Sequence, residues 1–265
     1  MPLSLDGATR VHYIVGDPIA QVKSPGGVSA CLQERGHNAV VLPAHVSPTD
    51  LATWVAGVSL AHNVDGIIVT VPHKFACRAL CRSVSERSAF VGSVNTMRRN
   101  ADGSWHGDMF DGLAFVQALR DQGAPIAGQR ALLAGAGGAG SAIAQALVLA
   151  GVAELAITDA DAARQQALVG QLAALNLGRV RAGTADPRGF DLVLNATPMG
   201  MSGGDPLPFD VAGLHAGMTV GCVITQPAIS PLVAEARARG CKTSTGSQMF
   251  AHVRDLMVDF LLEKT

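Results

Sequence analysis

An apolar run, Ala131-Leu-Leu-Ala134, passes directly into Gly135-Ala136-Gly137-Gly138-Ala139-Gly140 and then into the alanine-rich stretch Ser141–Leu149. That order constrains the fold more than anything else in the chain. Gly135, Gly137 and Gly140 fit the spacing G-x-G-x-x-G between a buried strand and a helix. The first glycine permits a tight turn, and the second lets a backbone approach a pyrophosphate. The third allows strand and helix to pack closely, while the helix start offers unpaired N–H groups to phosphate. The next strand, Glu154–Thr158, ends at Asp159, about twenty residues downstream, where a carboxylate accepts from ribose hydroxyls and repels a 2′-phosphate. Asp161 adds to that repulsion. Arg164, the only nearby cation, is expected on a solvated face one helical turn further on. The turn therefore points to a dinucleotide, and Asp159 to NAD rather than NADP.

Around this turn the chain alternates short apolar runs with helical stretches. Val11–Val15, Ala39–Leu42 and Gly66–Val71 are expected strands in the first hundred residues. Ser24-Pro25 is expected to open a helix with Ser24 as its cap, a second helix starts near Pro48, and Lys74–Cys81 is a third. Such alternation implies parallel pairing. From about Gly128 the rhythm is that of a doubly wound domain. Ala131–Ala134, Glu154–Thr158, Arg179–Arg181, Leu192–Asn195 and Met218–Val223 are its strands, and Ala162–Leu175 one of its helices. A final helix, Ser247–Leu262, is expected to return to the first domain. The fold class is α/β.

Composition narrows the partners. Twenty basic and 21 acidic residues leave a net charge of −1, and hydrophobic residues make up 48% of the 265. No concentrated basic field exists for nucleic acid or a membrane surface, so a small molecule is the expected partner. The five cysteines form no framework and read as reduced thiols of a cytoplasmic protein. His73, Cys77 and Cys81 share a helical face, but a soft-metal site wants four ligands and no second pair lies near, so no metal is expected. Met1–Arg10 lacks the order of a signal peptide, and Ala139–Thr158 is too interrupted to span a membrane. Trp54 and Trp105 read as packing residues.

Five further blocks carry a resemblance. They are Val15-Gly-Asp-Pro-Ile-Ala-Gln-Val-Lys-Ser-Pro25, Val69-Thr-Val-Pro-His-Lys74, Gly92-Ser-Val-Asn95-Thr96, Gly107-Asp-Met-Phe-Asp111-Gly112 and Asn195-Ala-Thr-Pro-Met-Gly-Met201. With the glycine turn, in this order, the chain resembles the shikimate dehydrogenase family over essentially its whole length. The resemblance implies an N-terminal α/β substrate domain, 1–111 completed by 246–265, and a Rossmann NAD-binding domain, 112–245. It implies oxidation of a secondary ring hydroxyl of shikimate, quinate or a related cyclic hydroxy acid. Lys74 and Asp111 would be the catalytic pair, with Asn95, Ser24, Val22 and Thr70 at the substrate. Gly135 to Gly140, Asp159, Asn195, Thr197, Met199, Val223, Gly246 and Met249 would bind the cofactor. The protein would be a monomer or homodimer.

The chemistry stands independently of the name. Hydride leaves a carbinol carbon only as the hydroxyl proton is taken up, so a base must lie within hydrogen-bond reach. A free lysine, with a pKa of about 10.4, serves as base only when burial lowers it, whereas a neighbouring aspartate stabilises the ammonium. Proton transfer and orientation therefore both stand open, as does a structural salt bridge between Lys74 and Asp111. Departures from the family pattern concern the substrate. Val22 stands where a serine is usual, Ile68 for an asparagine, Cys222 and Thr225 for an acid and a tyrosine, and Val253 for a glutamine. Each lost hydrogen bond to a charged group costs about 1.5–3 kcal/mol, and two amount to roughly two powers of ten in affinity. These changes imply a paralogue with a more apolar pocket. The alternative is an NAD-binding regulatory or sensor protein with an eroded active site. Thr225 and His252 are further candidates for substrate contact.

Overall fold

The computed structural model describes residues 5–263. The first four and last two residues, which fall within the expected bounds 1–111 and 246–265 and within the Met1–Arg10 start, lie outside the described residues. The chain divides into two compact units, one running to Phe110 and resuming at Arg254, the other Asp111–Val253. The second division falls inside the last helix rather than at its start.

In the first unit β1 (Arg10–Gly16), α1 (Ser24–Glu34), β2 (Ala39–His45), α2 (Leu51–Val58) and β3 (Val64–Val69) follow one another, and β1 pairs in parallel with both β2 and β3. Ser24 is the first residue of α1 rather than its cap, a position taken by Lys23. Proline tolerates either register, because no N–H in the first turn has an intrahelical partner to lose. Then come α3 (Lys74–Leu80), β4 (Ser83–Val84), α4 (Glu86–Val91), β5 (Thr96–Arg99) and β6 (Trp105–Asp108). Here the all-parallel expectation fails: β5 runs antiparallel to β3 and to β6. The reason is length. Only five residues join β5 to β6, closed by the Asn100 N–H donating to the Ser104 carbonyl at 2.8 Å, and a parallel crossover needs a dozen or more. The sheet order is β2-β1-β3-β5-β6-β4.

One face of this sheet packs Val15, Ile67, Val69, Met97 and Trp105 with Cys77 and Cys81. Burial pushes both thiols up to about 12, so they behave as small apolar groups. The ring of His73 meets the Val46 carbonyl at 2.8 Å, and the Cys81 thiol donates to the Cys77 carbonyl. Trp54 packs edge-on to Tyr13, and Trp105 donates its indole N–H to Ser59 Oγ at 3.0 Å.

The second unit opens with α5 (Asp111–Asp121). It continues through β7 (Arg130–Ala134), α6 (Gly138–Leu149), β8 (Glu154–Thr158), α7 (Ala162–Ala173), β9 (Arg179–Ala182) and β10 (Leu192–Asn195). It ends with β11 (Thr219–Cys222), α8 (Pro231–Ala238), β12 (Lys242–Ser244) and the start of α9 (Gly246–Leu262). The six strands are all parallel in the order β12-β11-β10-β7-β8-β9, and their buried runs of Leu, Ile, Val and Ala suit a sheet covered on both faces. No helix among the described residues is long and apolar enough to cross a membrane.

His12, on β1, is 2% exposed, and its Nδ1 has no hydrogen-bond partner among the described residues. Burial pushes its imidazole down to about 4. The unfolded imidazole titrates near about 6.5, so between that pH and 4 the unfolded chain binds more protons. Stability present above pH about 6.5 is therefore lost as the pH falls toward 4, by up to about 3 kcal/mol. Urea midpoints measured from pH 7 to 4.5 should fall less steeply for His12→Leu than for the unaltered protein. Equal slopes would remove this histidine from the account.

Candidate active site

The carboxyl ends of β1 and β3 lie side by side, with Val15 opposite Val69, and most of the candidate substrate residues gather there. The Thr70 N–H donates to the Val15 carbonyl at 3.0 Å, and the Asp17 N–H to the Val71 carbonyl at 3.0 Å. These bonds hold the two outgoing loops together, one leading through Val22 to Ser24, the other through Thr70 to Lys74. Ser24 is buried, while Val22, Thr70 and Lys74 are half-buried. Lys74 opens α3, and its carbonyl accepts from the Val94 N–H at 3.0 Å, one residue before Asn95.

Asn95 is completely buried. Its carbonyl accepts from the Val69 N–H at 2.7 Å and its N–H donates to the Asp108 carbonyl at 2.9 Å, so it sits between β3 and β6. Its Oδ1 accepts from the Phe110 N–H at 3.1 Å and from the Thr96 hydroxyl at 3.2 Å, which decides which way the amide faces. The first unit therefore brings Lys74 and Asn95 to one sheet end, with Thr70 and Ser24 on the adjoining loops. Asp111 is buried and begins α5, in the second unit. Ile68 is buried inside β3, paired with Thr96.

The second site is built where β7 and β10 pair, Ala134 opposite Asn195. β8 lies on the far side of β7 and β11 on the far side of β10, so the chains leaving this pair diverge. That is the switch point at which doubly wound sheets bind ligands. Gly135 has φ 103°, which a residue with a side chain rarely adopts, and its N–H donates to the Thr158 carbonyl at 2.8 Å. A Cβ on Gly140 would lie 2.0 Å from the Gly135 carbonyl oxygen, so helix and turn touch only because it is glycine. A Cβ on Gly137 would meet nothing within 4 Å, and Gly137 stands at the start of α6 with ordinary extended backbone. The space beside it suits a pyrophosphate. Ala136 is buried, while Gly138 and Ala139 are half-buried in the first turn of α6.

Asp159 reaches back to this turn. Its Oδ2 accepts from the Ala136 N–H at 2.6 Å and its Oδ1 from the Asp161 N–H at 2.8 Å. Arg164 is exposed, as expected of a solvated face, and its guanidinium also lies 3.9 Å from Asp159 Oδ1 and 3.3 Å from Asp161 Oδ2. Asp161 caps α7 by accepting from the Ala163 and Arg164 N–H groups, and that cap brings the first turn, with Arg164, over Asp159. The spacing Asp159 to Arg164 was the available signal.

Asn195 is fully buried with its side chain spent on the protein. Its Oδ1 accepts from the Thr197 N–H at 3.0 Å and hydroxyl at 2.7 Å, while Nδ2 donates to the Met199 carbonyl and to Cys222 Sγ. It shapes the loop carrying Thr197 and Met199. The Val223 N–H donates to the Asn195 carbonyl at 3.0 Å. Gly246 opens α9 so close to the Ile224 carbonyl that a Cβ would lie 2.2 Å from it, and Met249 is buried one turn on. Val253 is buried and Thr225 half-buried. His252 pairs with Asp121 at 2.6 Å, at the end of α5. Asp111 is ten residues away at the other end, about 15 Å along the axis, so His252 is directed away from it.

The glycines of one turn thus serve different ends. Gly137→Ala should leave the melting temperature within about 2 °C while weakening nucleotide binding tenfold or more, whereas Gly140→Ala should destabilise the fold itself by roughly 1–3 kcal/mol. Calorimetric unfolding and nucleotide titration of both variants test this, and equal effects would contradict it.

Comparison with known proteins shows what this chain is similar to. The profile of the shikimate dehydrogenase substrate binding domain matches residues 14–97. A shikimate dehydrogenase (NADP(+)) of Rubrobacter xylanophilus is 37% identical over 254 residues, covering 94% of this chain and 89% of that protein. Among solved structures, a quinate dehydrogenase from Corynebacterium glutamicum in complex with NAD is 29% identical with a TM-score of 0.82, covering 96% of this chain and 94% of that one. A 5-ketofructose reductase of Gluconobacter sp. strain CHM43 is 27% identical with a TM-score of 0.83, covering 97% and 94%. Identity of 37% over 94% of the chain places it in the shikimate dehydrogenase family of oxidoreductases.

Proposed function

We propose that this chain is an NAD-dependent dehydrogenase of a secondary ring hydroxyl, with shikimate, quinate or a related cyclic hydroxy acid as substrate. The unit ending at Phe110 takes the substrate, and the unit Asp111–Val253 takes the nucleotide. The observation that carries the reading is the sheet end where Lys74 and Asn95 are tied to one backbone, the Lys74 carbonyl accepting from the Val94 N–H and the Asn95 amide oxygen from the Phe110 N–H. A fixed amide and a half-buried amine at that place suit a ring carrying several hydroxyls. NAD, when bound, accepts the hydride from the carbinol carbon. Lys74 takes the hydroxyl proton or holds that hydroxyl in line, and Asn95 holds a neighbouring hydroxyl. Burial of these groups excludes water that would compete for the same hydrogen bonds.

The nucleotide choice rests on charge. Asp159 and Asp161 present two carboxylates to one guanidinium, so a 2′-phosphate at this place would meet a net negative charge. The Rubrobacter relative is named for NADP, and the Corynebacterium structure holds NAD, so the family accommodates both. We assign NAD here on the acid excess. The unaltered protein should prefer NAD by well over about tenfold in kcat/KM. Asp159→Ser should narrow that preference, because one carboxylate, Asp161, would then balance the one guanidinium of Arg164 and the excess negative charge would be gone. Equal use of both nucleotides by the unaltered protein would overturn the assignment.

On the substrate side, Val22 and Val253 place methyl groups where the family usually offers a hydroxyl and an amide. A carboxylate facing either one loses water without a replacement donor. A screen of ring hydroxy acids with NAD, followed through absorbance of the reduced nucleotide, should give turnover with a KM for shikimate nearer millimolar than micromolar. Lys74→Ala should lower kcat by about 10² to 10⁴ while NAD affinity stays unchanged. Nucleotide binding without turnover of any acid in the screen would favour a sensor protein instead.

A further inference from the structure

Arg87 and Asp108 belong to none of the roles assigned so far, yet one connected network ties them to Asn95. Asp108 ends β6, and its side chain is only 6% exposed. Its carboxylate accepts from Arg87 Nε at 2.7 Å and Nη2 at 2.5 Å, from the Met109 N–H at 2.7 Å and from the Ser85 hydroxyl. Ser85 also caps α4, accepting from the Ser88 N–H, so the same residue sets where the helix bearing Arg87 begins. The Arg87 guanidinium extends over the Phe110 ring, 5.1 Å from its centre. Both ends of the strand exit 108–110 are thereby clamped, one through the carboxylate and one through the ring.

That strand exit is what holds the Asn95 amide. The Asp108 carbonyl accepts from the Asn95 N–H at 2.9 Å, and the Phe110 N–H donates to Asn95 Oδ1 at 3.1 Å. We infer that Arg87 and Asp108 are positioning residues, whose two-pronged ion pair sets the direction in which Asn95 presents its amide to a substrate hydroxyl. The inference rests on the substrate role proposed above for Asn95. Stability gives one reason for the arrangement, since Asp108 is only 6% exposed and Arg87 keeps that buried carboxylate from standing unpaired. Orientation gives another, because a misplacement of about 1 Å in a substrate-holding group costs on the order of a hundredfold in rate.

Steady-state kinetics with shikimate and quinate at saturating NAD, calorimetric NAD binding and the amide NMR spectrum separate the possibilities. Arg87→Met should lower kcat/KM by about 10- to 100-fold, mainly through KM, with the NAD dissociation constant within about twofold of the unaltered protein. Arg87→Lys, which keeps the charge and one donor, should recover part of the loss. The Phe110 N–H and Asn95 side-chain resonances should move in Arg87→Met. Unchanged kinetics in Arg87→Met beside an impaired Asn95→Ala would overturn the inference and leave the role of Asn95 standing. An unimpaired Asn95→Ala would instead overturn that role, and unmoved resonances would overturn the inference whether or not the acids are turned over. A parallel loss of NAD affinity would make Arg87 a general structural residue and overturn it too. Should Arg87→Met not fold, Asp108→Asn and Arg87→Lys decide the matter by the same KM and resonance criteria.

Discussion

Parallel strands whose chains part on leaving the sheet are the constraint on which both candidate sites depend. In the second unit Ala134 and Asn195 are paired, after which β7 leads toward β8 and β10 toward β11 on opposite sides. The first unit repeats the device on its own sheet. There β1 leads to β2 on one side, β3 leads toward β5 on the other, and the loops that part carry Val22, Ser24, Thr70 and Lys74. The parting loops open a crevice beyond the strand ends, which is where sheets of this kind take their ligands.

Burying polar groups so close to such an opening is costly unless each is satisfied, at about 1–3 kcal/mol for every one left unpaired. Two asparagines, Asn95 and Asn195, answer that demand in the same manner. Each is completely buried, and each uses its amide oxygen to hold a backbone N–H of the segment it shapes. An aspartate in either place would present oxygens alone and lose the donor side of the arrangement. At Asn195 the donor is spent on the Met199 carbonyl and the Cys222 sulfur, which makes it part of the wall rather than a contact. Cys222, buried at the end of β11, also accepts from the Ser230 hydroxyl, so a position read from sequence as a lost acid has become an anchor for two neighbouring groups.

Electrostatics at the nucleotide turn shows why motif spacing alone is not enough. Asp159 was legible as an acid about twenty residues after the turn, but its carboxylate is occupied by two N–H groups and neighboured by Arg164. One cap, Asp161 on the first turn of α7, brings that arginine in. The sign of the local charge is therefore decided by three side chains from one turn and one helix start, and only the sum of them, one negative charge in excess, bears on the nucleotide.

Local order was written in the chain. The glycine turn, the apolar runs Glu154–Thr158 and Leu192–Asn195 and the final helix are short-range patterns, and each lies where periodicity and turn chemistry put it. The blocks around Lys74, Asn95 and Asp111 were legible as motifs for the same reason, since neighbours in sequence carry them. What tertiary structure alone decided is pairing. The antiparallel pairing of β5 with β3, the meeting of Asn95 with Val69 and Asp108, the grip of Arg87 on the strand exit and the turn of His252 toward Asp121 all join residues distant in the chain. Such contacts leave no period in the sequence, because the energy that selects them comes from burial and hydrogen-bond satisfaction summed over a packed unit.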